Sequence, residues 1–162
     1  MDISSFKQAL AKVISLHREK KFAEAYELIE QLLLESPYSS NLLVKRAKLI
    51  QLLDDELSQP PTLEMAFDSL KQAHSLEPQS IEPCIELGYF EYAVNDQTAE
   101  GLKYFQLAQE NAETGLKDAL VGQIKCYMDM DDKMQAKKVL EKARVLFPDD
   151  DDVEDLFYEL ED

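Results

Sequence analysis

Residues Phe22 to Pro37 read FAEAYELIEQLLLESP, and the pattern of this segment recurs along the chain. The small residue Ala25 is followed four positions later by the large apolar Ile29, and Leu32 comes three positions after that. Residues four and three positions apart share one face of an α-helix. The stretch therefore predicts a helix that packs closely on one side. The helix should end at Pro37, because proline lacks the amide donor that continuation needs.

Three later segments carry the same pattern in register. Equivalent positions are separated by 41, 35 and 35 residues in each of three series, which are Ala25, Ala66, Gly101 and Ala136, then Ile29, Leu70, Phe105 and Leu140, then Leu32, Ala73, Ala108 and Ala143. Three series with one irregular spacing indicate an internal repeat. Pro78 and Pro148 should end two of these helices, and Gly115, just beyond Glu113, is expected to end the third.

A further helix is predicted before each of these four. The predicted spans are about Ile3 to Glu19, Ser40 to Leu57, Ile81 to Val94 and Leu116 to Met130. Tight turns should lie at Lys20-Lys21, Asn95-Asp96 and Asp131-Asp132. The chain has only four Gly and six Pro in 162 residues, so turn residues are too rare for a protein built of strands and hairpins. The prediction is an all-α protein of four helix–turn–helix units, at about 3–38, 39–79, 80–115 and 116–148, whose stacking buries apolar faces that one hairpin leaves open.

The last segment, residues 149–162, begins with an Asp run and contains no Lys or Arg. Val153, Leu156, Phe157 and Leu160 recur at helical spacing, and acidic residues favour a helix start. A capping helix over the last repeat is the first interpretation. The alternative is an acidic, aromatic tail that docks on a partner or shields the groove of its own chain.

The repeat resembles that of the tetratricopeptide family over residues 5 to 148. The resemblance rests on Phe22-Ala23-Glu24-Ala25 with Pro37, on Leu87-Gly88, and on Ala119 to Tyr127 followed by Ala136, Ala143 and Pro148. Unlike the family pattern, the chain has no tryptophan, and Leu32 replaces a small residue. The resemblance implies a right-handed superhelical array in which the first helix of each unit lines a concave groove for a peptide or helix.

Mapping by family position gives candidate groove residues on the four first helices. They are Lys7, Leu10, Ile14, His17 and Arg18; Asn41, Val44, Lys48 and Gln51; Glu82, Ile85, Tyr89 and Tyr92; and Asp118, Val121, Lys125 and Met128. Apolar groups beside cations suit a partner segment with apolar and acidic side chains. The alternative is that the apolar members are packed between helices. Some family members hold the C-terminal carboxylate of heat-shock chaperones with Lys and Asn one turn apart in the first unit. Leu10 and Ile14 occupy those positions, so we expect no such clamp.

The formal net charge of −16 argues against nucleic acid and anionic membranes as partners and is compatible with a basic protein partner. The negative charge is equally explained by a solvated acidic surface that binds no partner. No run approaches the ~18 apolar residues of a membrane span, and residues Met1 to Leu10 show no secretion signal, so a cytoplasmic location is the expectation. Cys84 and Cys126 have no metal-site spacing, and no calcium-loop pattern follows the Asp runs, so we expect no metal and no cofactor.

No catalytic motif is present, and His17 and His74 lie in different predicted units, so we expect no enzyme. The leading expectation is an adaptor or chaperone that binds a peptide or helix of another protein. The alternatives are an immunity-type inhibitor or client-specific chaperone of a basic protein, and a structural protein that self-associates, for example as a homodimer. An insertion around Asp54 to Pro61, with its stiff Pro-Pro pair, is either a binding rim or a tolerated loop.

Overall fold

The computed structural model describes residues 2–53, 57 and 59–161, and in these ranges it contains eight α-helices and no β-strand. The helices are α1 (Ile3–Arg18), α2 (Phe22–Glu35), α3 (Ser40–Ile50), α4 (Leu63–Leu76), α5 (Ile81–Ala93), α6 (Thr98–Asp129), α7 (Lys133–Leu146) and α8 (Asp151–Glu161). The prediction of an all-α protein is confirmed.

Three helix ends lie where prolines in the sequence place them. Helices α2, α4 and α7 stop two residues before Pro37, Pro78 and Pro148. At the other ends, side chains accept hydrogen bonds from free backbone amides, as Asp2 does at α1 and Thr62 at α4. Since α2, α4 and α7 each end just before a proline, these prolines act as stop signals, as predicted.

The three predicted tight turns each contain one residue in the left-handed region, and these are Lys20 (φ 60°), Asp96 (φ 54°) and Asp131 (φ 57°). After α1, the Lys21 amide donates to the carbonyl of Leu16 at 2.9 Å. After α6, the amide of Asp132 donates to the carbonyl of Tyr127 at 2.9 Å. These bonds satisfy carbonyls that a helix end leaves unpaired, as in the Schellman motif. The turns are confirmed, and they form without glycine.

The predicted break at Glu113 to Gly115 is wrong, because α6 runs without interruption from Thr98 to Asp129. The second helix predicted for the third unit and the first helix predicted for the fourth unit are thus one continuous helix. Glycine inside a helix costs only about 1 kcal/mol relative to alanine, and this span contains no proline. The Thr114 hydroxyl donates to the Glu110 carbonyl at 3.0 Å, which is compatible with an unbroken helix. Gly115 is permitted here and does not act as a stop.

The predicted first helix of the second unit is too long at its C-terminal end, since α3 stops at Ile50 and not near Leu57. The Gln51 side chain donates to the carbonyl of Ala47 at 3.1 Å and helps to satisfy that end. Of the insertion from Asp54 to Pro61, residues 54–56 and 58 lie outside the described residues. Leu57, Gln59, Pro60 and Pro61 are in no helix.

The chain divides into unit 1, Met1–Ala108, and unit 2, Gln109–Asp162, and the boundary falls inside α6. In unit 1, the repeated positions of α2 and α4 are fully buried, as the pattern predicts; they are Ala25, Ile29 and Leu32 in α2 and Ala66, Leu70 and Ala73 in α4. They form one core with buried side chains of α1, α3 and α5, among them Val13, Leu43 and Leu87. The small residues of the repeat allow helices to pack closely.

Unit 2 contains the last part of α6 together with α7 and α8. Its core joins Leu120 and Ile124 of α6, Leu140 of α7, and Leu156 and Leu160 of α8. The apolar face predicted for the C-terminal segment is therefore used inside unit 2. The exposed side of α8 carries only acidic and aromatic side chains over the described residues.

Ion pairs hold both ends of α8 to its neighbours in unit 2. Lys117 Nζ lies 2.9 Å from Asp150 Oδ2 and 3.0 Å from Asp152 Oδ2, and Lys137 Nζ lies 2.8 Å from Glu161 Oε1. The hydrogen bond from Lys117 lowers the pKa of Asp150, and the bonds to the two aspartates raise the pKa of Lys117. The guanidinium of Arg144 lies 4.2 Å from the centre of the Phe157 ring. These contacts orient α8, while the buried apolar face supplies most of its stabilisation.

Candidate partner-binding site

A cavity of about 200 Å³ opens between α1, α3 and the start of α5 in unit 1. Its lining residues come from three successive first helices of the predicted repeats, and they are Val13, Ile14, His17, Arg18, Lys45, Lys48, Leu49 and Glu82. Val13 and Leu49 are buried, and Ile14 keeps 45% of its surface exposed. The cavity thus has an apolar base with an accessible apolar side chain above it.

The rim of this cavity is positive although the protein is strongly acidic. Among its lining residues, Arg18, Lys45 and Lys48 are cations and Glu82 is acidic. Helix spacing explains the grouping, because Ile14 and Arg18 lie one turn apart on α1, and Lys45, Lys48 and Leu49 lie within one turn of α3.

Lys48 is partly neutralised by α5. Its Nζ lies 2.7 Å from Glu86 Oε1 and 3.5 Å from Glu82 Oε1. Burial lowers the pKa of Lys48, but the hydrogen bond to Glu86 and the two carboxylate charges outweigh burial, so this pKa lies above its usual value. Lys48 stays charged and joins α3 to α5. Within the described residues, Arg18 and Lys45 make no ion pair, so their charges remain available.

Of the predicted groove residues, the structure brings Ile14, Arg18 and Lys48 together in this cavity, along with His17 and Glu82. Lys7 and Leu10 line a different, wider depression of about 430 Å³ at the start of α1, beside Ile3 and Phe6. Glu35 and Ser36 at the end of α2 complete its lining, so this depression lies between α1 and α2 and is separate from the cavity.

Val44 is not a groove residue. It is 1% exposed and belongs to the core of unit 1, so the prediction that it contacts a partner is wrong. The family mapping counts positions along a helix, but α3 is covered on most of its circumference, so that seven of its residues are buried. Ile85 is half-buried on α5, and it does not line the cavity.

Tyr89 and Tyr92 remain accessible, at 58% and 56% exposed, but they lie on the side of α5 that meets the start of α6. The Tyr89 ring packs edge-on against Phe105 with centroids 5.0 Å apart. The backbone of Tyr92 passes close to Gly101. Their aromatic surface is thus separate from the lining of the cationic cavity.

The fourth set of predicted groove residues lies in unit 2. Val121 and Met128 are half-buried against the unit 2 core, and Lys125 is exposed on α6. None of these three residues lines the cavity of unit 1.

Lys45, Leu49 and Val13 line the cavity but were not predicted from the family positions. A signal for the cations was present in the sequence. Helices α1 and α3 each contain three Lys or Arg and no Asp or Glu, although the chain as a whole has 33 acidic and 17 basic residues. A comparison of charge between helices would have pointed to this face.

Two other features bear on chemistry. Cys84 Sγ lies 3.6 Å from His74 Nδ1, a proximity that the sequence did not indicate. Cys84 is fully buried, and burial raises the pKa of its thiol, so this thiol is protonated and inaccessible. In the described part of the chain, no group of three or more His, Cys, Asp or Glu side chains is placed to hold a metal ion.

Across the described ranges, every helix is too short or too polar to span a lipid bilayer. No protein-family model matches the chain, and no curated protein is significantly similar to it.

Proposed function

We propose that this protein is a non-enzymatic interaction module, an adaptor or chaperone of the cytoplasm, that binds a peptide or helix of another protein through α1, α3 and α5. The observation that carries the proposal is the cavity in unit 1, which combines an apolar base with a cationic rim and is lined by three successive first helices. Ligand sites commonly pair apolar walls with a few placed polar groups.

The resemblance to tetratricopeptide repeats supports the same proposal, since the first helices of such arrays line the concave surface. The repeat positions of α2 and α4 are buried as that family pattern requires. A right-handed superhelical arrangement of the units is part of the proposal. Nucleic acid and anionic membranes are poor partners for a chain of net charge −16.

An inhibitor or chaperone of a basic protein is the second candidate. One observation favours it: α2 contains four Glu and no cation, and α8 contains six acidic residues and no cation. These helices present negative charge that a basic client would neutralise. Self-association as a homodimer is the remaining alternative, and it predicts a single species of doubled mass with no other protein bound.

The proposal is tested by capture of partners from native lysate with tagged protein, followed by mass spectrometry. The wild type is compared with Ile14→Ser, which removes accessible apolar surface from the cavity, and with Leu34→Ser, which removes exposed apolar surface from α2. A partner that binds through the cavity should be depleted about tenfold by Ile14→Ser and retained by Leu34→Ser.

Circular dichroism confirms that both variants are folded. A partner retained by Ile14→Ser would place the binding site elsewhere and favour the acidic helices. If the wild type and both variants form a homodimer of the same mass and capture no partner, self-association would be favoured.

A further inference from the structure

Charge is segregated between the helices of unit 1. Helices α1 and α3 carry only cations among their Asp, Glu, Lys and Arg residues, namely Lys7, Lys12, Arg18, Lys45, Arg46 and Lys48. Helix α2 carries four Glu without a cation, and α5 carries three Glu without a cation. The net charge of −16 therefore conceals a basic area on two helices.

Not all of these cations face the same side. Arg46 Nε donates to Ser69 Oγ at 2.9 Å, and its Nη1 lies 3.6 Å from Glu30 Oε1, so Arg46 joins α3 to α2 and α4. Lys48 is engaged by Glu82 and Glu86 of α5. The positive charge that remains unpaired at the cavity, within the described residues, is that of Arg18 and Lys45.

We infer that the cavity selects a partner segment in which acidic and apolar side chains alternate, with its carboxylates beside Arg18 and Lys45 and its apolar groups against Ile14, the accessible apolar side chain of the cavity. This inference rests on the proposed function and names the chemistry of the partner. An arginine forms paired hydrogen bonds with a carboxylate, and a lysine adds a second donor. The apolar base supplies the burial that ion pairs at an exposed rim do not.

The same charges set the orientation of the segment. Glu82 and Glu86 place negative charge on the α5 side of the cavity, so a second carboxylate there would be repelled. The carboxylates of the partner that contribute most to binding therefore lie over α1 and α3, and those nearer α5 contribute less. At physiological salt, charges beyond about 8 Å are largely screened. The local cations therefore outweigh the distant acidic surface once the segment is in contact.

The test uses two fluorescent peptides of equal length with Leu and Phe at identical positions. The residues between these positions are Glu in one peptide and Lys in the other. Each is titrated with the full-length protein, and binding is read by fluorescence anisotropy. The Glu peptide should bind at least about tenfold more tightly than the Lys peptide, and its affinity should fall as salt is raised. Arg18→Gln with Lys45→Gln should weaken the Glu peptide about fivefold to tenfold.

The matched control is Lys138→Gln with Lys142→Gln, which removes two exposed lysines that make no ion pair within the described residues of unit 2. It should leave the affinity for the Glu peptide unchanged. Equal or tighter binding of the Lys peptide, lost in Ile14→Ser, would overturn the acidic preference and leave the proposed groove function standing. Failure of the Glu peptide to bind, or tighter binding of a single-stranded oligonucleotide at the same site, would overturn the inference.

Discussion

Replacing Leu156 with alanine is expected to lower the free energy of unfolding by about 2–5 kcal/mol. Leu156 is 3% exposed and packs in the unit 2 core with Leu120, Ile124 and Leu140. The substitution removes buried apolar surface and leaves a cavity, and both terms destabilise the folded state. The ion pairs that flank α8 do not offset this loss, because the substitution leaves them unchanged. Chemical denaturation followed by circular dichroism measures the change.

Tyr158→Ala is the matched control for this prediction. Tyr158 lies on the same helix but is 59% exposed, and its hydroxyl donates to Glu154 Oε1 at 3.2 Å. We expect a change of less than about 0.5 kcal/mol there. If Leu156→Ala were as mild as Tyr158→Ala, α8 would not be part of the core, and the interpretation of this segment as a tail that docks on a partner would be favoured.

Replacing Gly101 with alanine should destabilise the protein by up to about 2 kcal/mol, although alanine favours a helix. A Cβ at Gly101 would lie 2.8 Å from the backbone carbonyl oxygen of Gly88 and 3.2 Å from Tyr92 Cβ. The obstacle is mainly backbone, so α5 and α6 must separate to admit the methyl group. Overpacking of this kind costs about 1–3 kcal/mol, of which the helix propensity of alanine returns up to about 1 kcal/mol.

Gly115→Ala is the control, on the same helix. Nothing lies within 4 Å of a Cβ at Gly115, so alanine should stabilise α6 by about 0.5–1 kcal/mol. The sign at Gly115 also tests the continuity of α6. A loss of stability would mean that Gly115 adopts a positive φ at a helix end, as the sequence pattern predicted. A gain at Gly101 would contradict the close approach of α5 and α6.

Much of the fold was predictable because helical periodicity and proline positions are local signals. The series that begin at Ala25, Ile29 and Leu32 mark buried helix faces, and Pro37 and its equivalents mark helix ends. The continuity of α6 through Gly115 was not predictable in the same way. Glycine permits a left-handed residue without requiring one, and the cost of keeping it helical is small enough for the surrounding sequence to decide.

The candidate site was predicted only in part, because the lining of a cavity depends on neighbours that are distant in sequence. Ile14, Arg18 and Lys48 were predicted by mapping the positions of the family that the repeat resembles, and they line the cavity. Val44 was assigned to the surface because the pattern does not reveal how much of α3 its neighbours cover. Lys45 was missed although the absence of acidic residues in α3 was visible in the sequence.

Site-specific photo-crosslinking in cells shows whether a partner binds in the cavity. A photoreactive amino acid is placed at Ile14 in the cavity, and, as matched controls, at Leu34 on α2 and at Val145 on α7, which are both strongly exposed. If α1, α3 and α5 hold a partner, the probe at Ile14 should give a discrete adduct with another polypeptide, and the probes at Leu34 and Val145 should give none. Adducts at Leu34 or Val145 without one at Ile14 would contradict binding through this cavity.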